Sequence, residues 1–371
     1  MRILLDYRPA LRERSGVGEY VHELARALVA TAPPGESLTL FSSSWKDRLD
    51  AGAVPGADVL DRRIPVWLLN LAWHRLERPR VDAMTRDSFD VVQSAHPLLM
   101  PSRRAAQIVT IYDLDFLDHP ERTQREIRRD YPALAPSHAR RADRIVTISE
   151  HTAGEIVKRL GVDPAKFSVC HPGAPAWIPR DAEPAGASIL FLGTLEPRKN
   201  LGVLLDAYER LLARSTAVPP LVLAGRVTSD VADIVTRASQ PPLSGRVRML
   251  GYIQADRRLD VYRDAMVLVM PSHTEGFGMP VVEAMAMGVP VVAANCGALP
   301  EVVGTAGRLF NPAAASELAD TLAQVLESPS IRRQMRDAGL EQARRFQWTA
   351  SAHRVRDAWA LAVRHREAQR G

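Results

Sequence analysis

Two glutamates flank a short glycine loop in the stretch HTEGFGMPVVEAM. Glu275 precedes the loop formed by Gly276, Phe277 and Gly278, and Glu283 follows it inside a predicted helix. The start of a helix offers unpaired backbone N–H groups and a partial positive charge, and both suit a phosphate. The two glycines let a ligand approach the backbone closely. We therefore expect a phosphate-bearing ligand at this loop, with one acid near each of its ends. The alternative is an ordinary loop with two solvated acids.

Two adjacent cations, Arg198 and Lys199, precede another predicted helix in the stretch GTLEPRKNL. Two cations beside a helix start form a site for an anion such as a diphosphate. Lysine is rare in this sequence, since 44 of the 48 basic residues are arginines. This rarity makes Lys199 the more informative of the two. The alternative is a solvated pair of charges in a loop.

Two further stretches belong to the first half of the chain. SGVGEY, with Gly16 and Gly18, opens a predicted helix soon after the first strand. It is shorter than the full dinucleotide-binding pattern, so it predicts either a glycine turn near a ligand or only a tight turn. Tyr112 and Asp113 lie at the carboxyl end of the predicted strand QIVTIY, where open α/β sheets bind ligands. Asp113 and Asp115 resemble an Asp-x-Asp metal pair, but so short a match is common by chance, and we predict no metal site.

The elements that must position these residues alternate between strands and helices along almost the whole chain. This pattern is typical of α/β proteins with doubly wound parallel sheets. A stretch rich in proline and glycine, residues 173–186, predicts a linker. We therefore predict a first domain over 1–172 and a second over 187–347. A C-terminal helix over 348–371 is expected to pack back on the first domain.

Composition limits the classes of protein to which this chain can belong. The 371 residues are 46% hydrophobic, and no apolar run approaches the roughly 18–20 residues that a membrane span needs. The net charge of +5 comes with no recognisable nucleic-acid-binding motif, so nucleic acid is not an expected partner. The two cysteines, Cys170 and Cys296, lack metal-like spacing and predict unpaired thiols in a reducing cytoplasm.

One segment departs from the alternating pattern, the stretch from Arg62 to Arg80. It carries Trp67 and Trp73 together with five arginines. Such a segment is typical of a membrane-surface element, or of one that lines an acceptor site. The alternative is a helix packed on the first sheet.

Taken together, several of these stretches resemble one family. They are SGVGEYVHELARAL, TIYDLDFLDHPE, ADRIVTISEHTAGEI, LGTLEPRKNL and PSHTEGFGMPVVEAMAMGVPVVAANCGALPEVVG. The chain resembles the retaining nucleotide-sugar glycosyltransferases of family 4, from Arg2 to about Gln347. Within the family it is most similar to mannosyltransferases that build bacterial surface polysaccharides. The resemblance implies the GT-B fold, in which two Rossmann-like doubly wound domains face a cleft.

The resemblance also implies a role for each site residue. Glu275 contacts the donor sugar, and Glu283 holds the ribose hydroxyls of the nucleotide. Arg198 and Lys199 neutralise the phosphates of the leaving group. The amides of the loop from Gly276 to Gly278 meet the diphosphate, and the turn at Gly16 and Gly18 lies near it across the cleft.

The chain departs from the family at one position, where Tyr112-Asp113 replaces the usual His-Asp pair. The histidine normally contacts the donor sugar. Tyrosine has an unperturbed pKa of about 10, so Tyr112 is a poor general base near neutrality. Same-face transfer, in which the leaving phosphate accepts the acceptor proton, needs stabilising cations more than a protein base. Activity is therefore still expected, while the preferred sugar is left open.

The sequence predicts a cytoplasmic, metal-independent, retaining glycosyltransferase, with an association at the cytoplasmic membrane face as a further option. The expected substrates are GDP-mannose and a lipid-linked or oligosaccharide acceptor, and no cofactor is expected. One alternative is an enzyme that uses a UDP-sugar donor. Another, suggested by Tyr112, is a catalytically inert protein that binds sugar nucleotides.

Overall fold

The computed structural model describes residues 1–11, 14, 16–85, 87–123, 125–184 and 186–370. Ser15 of the predicted glycine turn and Ala185 of the predicted linker lie outside the described residues. The chain divides into two compact units. The first contains Met1–Gly173 and Gln347–Gly371, and the second contains Ala174–Phe346.

The strands are β1 (Arg2–Asp6), β2 (Ser37–Ser43), β3 (Asp58–Arg62), β4 (Val91–Ser94), β5 (Ala106–Ile111), β6 (Arg144–Thr147), β7 (Phe167–Val169), β8 (Ser188–Leu192), β9 (Leu221–Ala224), β10 (Val247–Gly251), β11 (Ala265–Met270), β12 (Val291–Ala294) and β13 (Arg308–Phe310). The helices are α1 (Val17–Ala30), α2 (Val66–Leu76), α3 (Val81–Met84), α4 (Asp115–Asp118), α5 (Arg125–Arg141), α6 (Glu150–Leu160), α7 (Leu201–Arg214), α8 (Ala232–Ala238), α9 (Arg258–Arg263), α10 (Met279–Met287), α11 (Leu299–Val303), α12 (Ala315–Glu327), α13 (Pro329–Ala343) and α14 (Trp348–Ala368).

In the described part of the first unit, the strands form a parallel sheet in the order β3-β2-β1-β4-β5-β6-β7. Its central strands are buried apolar runs, as expected where helices cover both faces of a parallel sheet. Helix α14 packs against α1, β5 and β6 of this unit. The Trp359 indole N–H anchors it by donating a 2.7 Å hydrogen bond to Gln93 Oε1 on β4.

In the second unit, the described strands form a parallel sheet in the order β10-β9-β8-β11-β12-β13. Most residues of the predicted linker belong to this unit. Arg180 fixes them to it, because its backbone N–H donates to Met287 O and its guanidinium donates to Arg263 O. The order of both sheets confirms the predicted α/β class with two Rossmann-like doubly wound units.

Among the described residues, no helix is both long enough and apolar enough to cross a membrane. Cys170 and Cys296 are unpaired thiols.

Candidate functional site

The structure brings three of the predicted site residues together around a buried carboxylate. Glu275 lies five residues beyond the end of β11 and is almost fully buried. Its Oε1 accepts hydrogen bonds from Lys199 Nζ at 2.5 Å and from Ser272 Oγ at 2.6 Å. Its Oε2 lies 3.3 Å from Arg198 Nη1. One acid of the predicted pair, Glu275, therefore contacts both predicted cations, Arg198 and Lys199.

The charges of this site fix the state of Glu275. Burial alone would raise the pKa of the carboxyl, but Lys199 and Arg198, with hydrogen bonds from Lys199 and Ser272, lower the pKa to about 2. Glu275 is therefore ionised near neutral pH. Burial and the neighbouring Arg198 lower the pKa of Lys199, while the Glu275 carboxylate acts in the opposite direction.

Arg198 also contacts a second carboxylate, since its Nε lies 2.5 Å from Glu196 Oε1. The two cations thus face two carboxylates, and the group is electrically balanced. Arg198 and Glu196 keep about a fifth of their side-chain surface exposed, whereas Lys199 is nearly buried.

Asn200, whose backbone is in the left-handed conformation, places Lys199 beside Glu275. Residues Pro197–Lys199 form a 3-10 turn, and Asn200, at φ 54°, separates that turn from α7. The Asn200 side-chain amide donates to Pro271 O at 3.0 Å and to Pro312 O at 2.8 Å. The first bond ties the turn to the segment that follows β11, and the second ties it to the segment that follows β13. Asparagine suits the position because it tolerates the left-handed conformation better than most residues.

Gly297 holds the backbone of Glu275 and is a site residue that the sequence did not reveal. Its φ is 57°, and an added Cβ would lie 2.7 Å from Glu275 N and 2.8 Å from Glu275 O. The next residue, Ala298, donates its N–H to Glu275 O at 3.0 Å. Only glycine permits this approach. The available signal is that Gly297 closely follows β12, within the stretch that carries the family resemblance.

The predicted glycine loop leads directly into α10. Gly278, at φ 96°, precedes the helix, and Pro280 lies in its first turn, where a missing N–H costs nothing. The Phe277 side chain is buried and meets the Phe346 ring edge-on at 5.4 Å. Phe277 was predicted to bind the donor. Since its ring belongs to the core, any such role falls to its backbone.

Glu283 lies in α10 with partners of its own. Arg258 Nη1 donates to its Oε1 at 3.0 Å, and Tyr262 Oη donates to its Oε2 at 2.7 Å. All three side chains are buried. Arg258 and Tyr262 are four residues apart on α9 and therefore share one face of that helix.

The remaining predicted site residues belong to the first unit. Gly16, at φ 50°, immediately precedes α1, and a Cβ there would meet nothing within 4 Å. Gly18 lies in the first turn, where a Cβ would be 2.6 Å from Pro9 O. Gly18 is thus required for packing against the turn at Arg8–Ala10, while Gly16 leaves open space. Asp113 Oδ1 accepts a hydrogen bond from Asp115 N at the start of α4.

Tyr112 follows β5, and its hydroxyl is buried without a hydrogen-bond partner among the described residues. Its ring lies edge-on to Tyr20 at 5.5 Å. Burial raises the pKa of Tyr112 well above its usual value, and the charges of Asp6 and Tyr131 act in the same direction. Tyr112 therefore stays protonated and can only donate or accept a hydrogen bond.

A buried charge network lies at the same edge of the first sheet and was not predicted. Asp6, at the end of β1, makes two 2.8 Å bonds with the Arg8 guanidinium. His96 Nε2 lies 3.3 Å from Asp6 Oδ2. Burial would raise the pKa of Asp6, but Arg8 and His96 hold it well below its usual range. In the sequence His96 is a single histidine with no spacing pattern, so nothing local indicates this network.

Comparisons with known proteins give a consistent result. Residues 14–176 match the model described as Glycosyltransferase Family 4, and residues 181–342 match Glycosyl transferases group 1. The O-antigen chain mannosyltransferase B of Escherichia coli is 30% identical over 97% of this chain and 100% of its own length. The D-inositol 3-phosphate glycosyltransferase 2 of Catenulispora acidiphila is 30% identical over 66% of this chain and 61% of its own.

Among solved structures, the sucrose-phosphate synthase of Thermosynechococcus elongatus has a TM-score of 0.78. The match covers 97% of this chain and 98% of that protein at 20% identity. A likeness at this identity concerns the fold alone.

Proposed function

This chain belongs to the family 4 glycosyltransferases, which have the GT-B fold, and from that premise we propose that it transfers mannose from GDP-mannose with retention of configuration. The proposed acceptor is a lipid-linked or oligosaccharide intermediate of a surface polysaccharide. The relative named as an O-antigen chain mannosyltransferase supports this choice, because it aligns over its full length.

The observation that carries the chemistry is the cluster of Glu275, Lys199 and Arg198 beside the glycine loop. In the proposed step the bond between the sugar C1 and the phosphate oxygen breaks, and a bond from C1 to the acceptor oxygen forms on the same face. The acceptor proton passes to the leaving phosphate. Lys199 and Arg198 stabilise the charge that grows on the diphosphate, so no metal ion is required. Glu275 accepts hydrogen bonds from the donor sugar.

The test is product analysis with several donors. GDP-mannose, other GDP-sugars and UDP-sugars are each incubated with the protein and a mannosylated oligosaccharide acceptor. An axial product from GDP-mannose, shown by the C1–H1 coupling constant in NMR, supports the proposal. An inverted product removes the retaining mechanism. Transfer from a UDP-sugar alone identifies the alternative donor, and nucleotide binding without turnover identifies an inert binder.

Tyr112→Phe should have opposite effects on stability and on donor affinity. The buried hydroxyl lacks a partner within the described protein, and leaving such a group unsatisfied costs roughly 1–3 kcal/mol. If a sugar hydroxyl of the donor supplies that partner, the variant should be about 1 kcal/mol more stable without ligand. Its donor affinity should fall a few-fold to about tenfold, because one neutral hydrogen bond is lost. Thermal unfolding and donor titration measure the two effects.

Tyr112→His provides the matched comparison, because it restores the residue usual in the family. It should remain active, and the preferred donor sugar is the property that it can change. Loss of stability in Tyr112→Phe, with unchanged donor affinity, would show that the hydroxyl serves the fold and does not contact the sugar.

We also propose that α2 rests on an anionic membrane surface. Large apolar side chains on this helix are exposed, with Trp67 at 57%, Leu68 at 44% and Leu76 at 70%. Trp73 of the same helix is buried against Phe41, so the predicted packing on the sheet accounts for one face only. Exposed apolar residues with nearby arginines are typical of interfacial helices.

Binding to anionic vesicles should therefore depend on Trp67. Trp67→Ala should weaken cosedimentation with vesicles of phosphatidylglycerol by about tenfold, and salt should weaken the binding of both proteins. Ile178→Ala is the control, because Ile178 is 85% exposed but belongs to the second unit. Equal binding of the wild type and Trp67→Ala to these vesicles would show that α2 has only a structural role.

A further inference from the structure

A polar cavity of about 320 Å³ lies in the first unit, away from the edge that carries Tyr112. Among its lining residues are Pro101 and Ser102, which precede β5, and Gln107 near the start of that strand. Tyr112 follows the opposite end of β5. Tyr112 is five positions after Gln107, a separation of about 16 Å along the strand at ~3.3 Å per residue. The cavity is thus distinct from the residues assigned to sugar transfer.

Three arginines from separate elements converge on this cavity. They are Arg80 before α3, Arg141 at the end of α5 and Arg366 in α14. Glu77 also lines the cavity and pairs with Arg141 at 2.7 Å. Buried Asp143 lies 3.8 Å from Arg366. The lining itself carries three arginines and one carboxylate, Glu77, whereas Asp143 and Asp82, which accepts from Ser102 Oγ at 3.0 Å, do not line the cavity.

The Arg80 guanidinium is available to a ligand. Within the described part of the chain, its side chain makes no hydrogen bond and no ion pair, and it is exposed. Arg366 keeps about a quarter of its side chain exposed and donates to Arg103 O at 3.4 Å, which is a weak bond. Two planar guanidinium groups on one cavity can each bind an oxyanion through two N–H donors.

His138 adds a neutral donor to the cavity wall. Its Nδ1 accepts a hydrogen bond from Leu99 N at 2.9 Å, so the neutral ring carries its proton on Nε2. Burial, followed by the charge of Arg141, lowers the pKa of His138 to about 4. The ring is therefore neutral near pH 7, and its Nε2–H can donate a hydrogen bond without the ring carrying a positive charge.

We propose that this cavity binds a phosphate monoester group. The arginines and His138 supply N–H donors, and a phosphate monoester carries about −1.5 to −2 charges near neutral pH. Glu77 and Arg80 directly follow α2, whose last residue, Leu76, is the most exposed apolar side chain of that helix. The phosphate can belong to a lipid headgroup at the membrane or to a soluble compound, and the chemistry recognised is the same.

The experiment compares Arg366→Ala with Arg370→Ala in the full chain. Arg370 lies one turn further along the C-terminal segment and donates to Arg103 O and Arg104 O, but it does not line the cavity. Thermal unfolding in increasing inorganic phosphate tests the soluble source. Cosedimentation with vesicles of phosphatidate, compared with vesicles of phosphatidylglycerol at equal surface charge, tests the lipid source. The site at Lys199 is the same in both variants, so a difference between them reports the cavity alone.

Arg370→Ala should behave as the wild type, whereas Arg366→Ala should bind the phosphate group about tenfold more weakly. Arg80→Ala should show the same loss, and since Arg80 is exposed and its side chain makes no hydrogen bond or ion pair with the described residues, its replacement should leave folding intact. Stabilisation by inorganic phosphate identifies a soluble ligand, and a preference for phosphatidate identifies a headgroup. Equal responses of Arg80→Ala, Arg366→Ala and Arg370→Ala to both probes would overturn the proposal. A preference for neither lipid together with no stabilisation by phosphate would overturn it as well.

Discussion

Lys199→Met should lower sugar transfer on the order of 10²-fold or more, the loss expected when one charge-stabilising donor leaves a transition state. Lys199 Nζ lies 2.5 Å from Glu275 Oε1, and the lysine side chain is nearly buried. Its positive charge therefore lies beside the glycine loop. Initial rates with saturating donor measure the effect. Lys158→Met is the control, since Lys158 is exposed on α6 and belongs to the first unit.

The same substitution should also destabilise the second unit, because it leaves the Glu275 carboxylate buried with one cation fewer. Removing one partner of a buried ion pair costs about 3–5 kcal/mol, and the remaining contact with Arg198 should keep the loss near the lower value. A loss of activity could therefore come from a displaced loop instead of a lost phosphate contact. A second variant is needed to distinguish the displaced loop from the lost phosphate contact.

Lys199→Met combined with Glu275→Gln separates these causes. The double variant no longer buries an unbalanced carboxylate, so much of the lost stability should return. Affinity for GDP, which lacks the transferred mannose that Glu275 is proposed to contact, should stay weak if Lys199 binds the diphosphate. Recovery of wild-type GDP affinity in the double variant would show that Lys199 acts only by holding Glu275 in place.

The sequence located these residues because the signals are local. Continuous apolar strands, the glycines at 276 and 278 and the paired cations at 198 and 199 each lie within a single stretch. Parallel sheets bring the carboxyl ends of their strands to one edge, so the meeting of Glu275 with Lys199 was within reach of sequence reasoning. Both the doubly wound order and the two-unit architecture followed from the same alternation.

Features that depend on packing between distant segments were not predictable. Arg258 reaches Glu283 across 25 positions, and its helix α9 has only six residues, too few for a clear periodic signal. Phe277 looked like part of a ligand loop, yet its ring pairs with Phe346, 69 positions later in the chain. Whether a loop side chain points to a ligand or to the core depends on which remote residue fills the space beside it.

Glu283→Gln should strongly destabilise the second unit, because the partners of Glu283 are buried. Arg258 loses its buried counter-ion, and such a loss costs about 3–5 kcal/mol. For a unit of this size, ~3 kcal/mol lowers the unfolding midpoint by roughly 6–12 °C. Glu209→Gln is the matched control, because Glu209 also pairs with an arginine, Arg237, but about a third of each of these two side chains is exposed. There the loss should be about 1 kcal/mol or less.

Glu283→Gln also tests whether Glu283 binds the nucleotide. If its carboxylate accepts the ribose hydroxyls, Glu283→Gln should weaken GDP binding about tenfold, since a charge-assisted hydrogen bond contributes roughly 1.5–3 kcal/mol. The wild type should prefer GDP over 2′-deoxy-GDP, and the variant should lose most of that preference. Tyr262→Phe removes only a hydroxyl that orients the carboxylate, so it should weaken GDP binding a few-fold and keep the preference. An unchanged ratio of the two affinities in Glu283→Gln, beside the expected loss of stability, would assign Glu283 to the fold and place the ribose elsewhere.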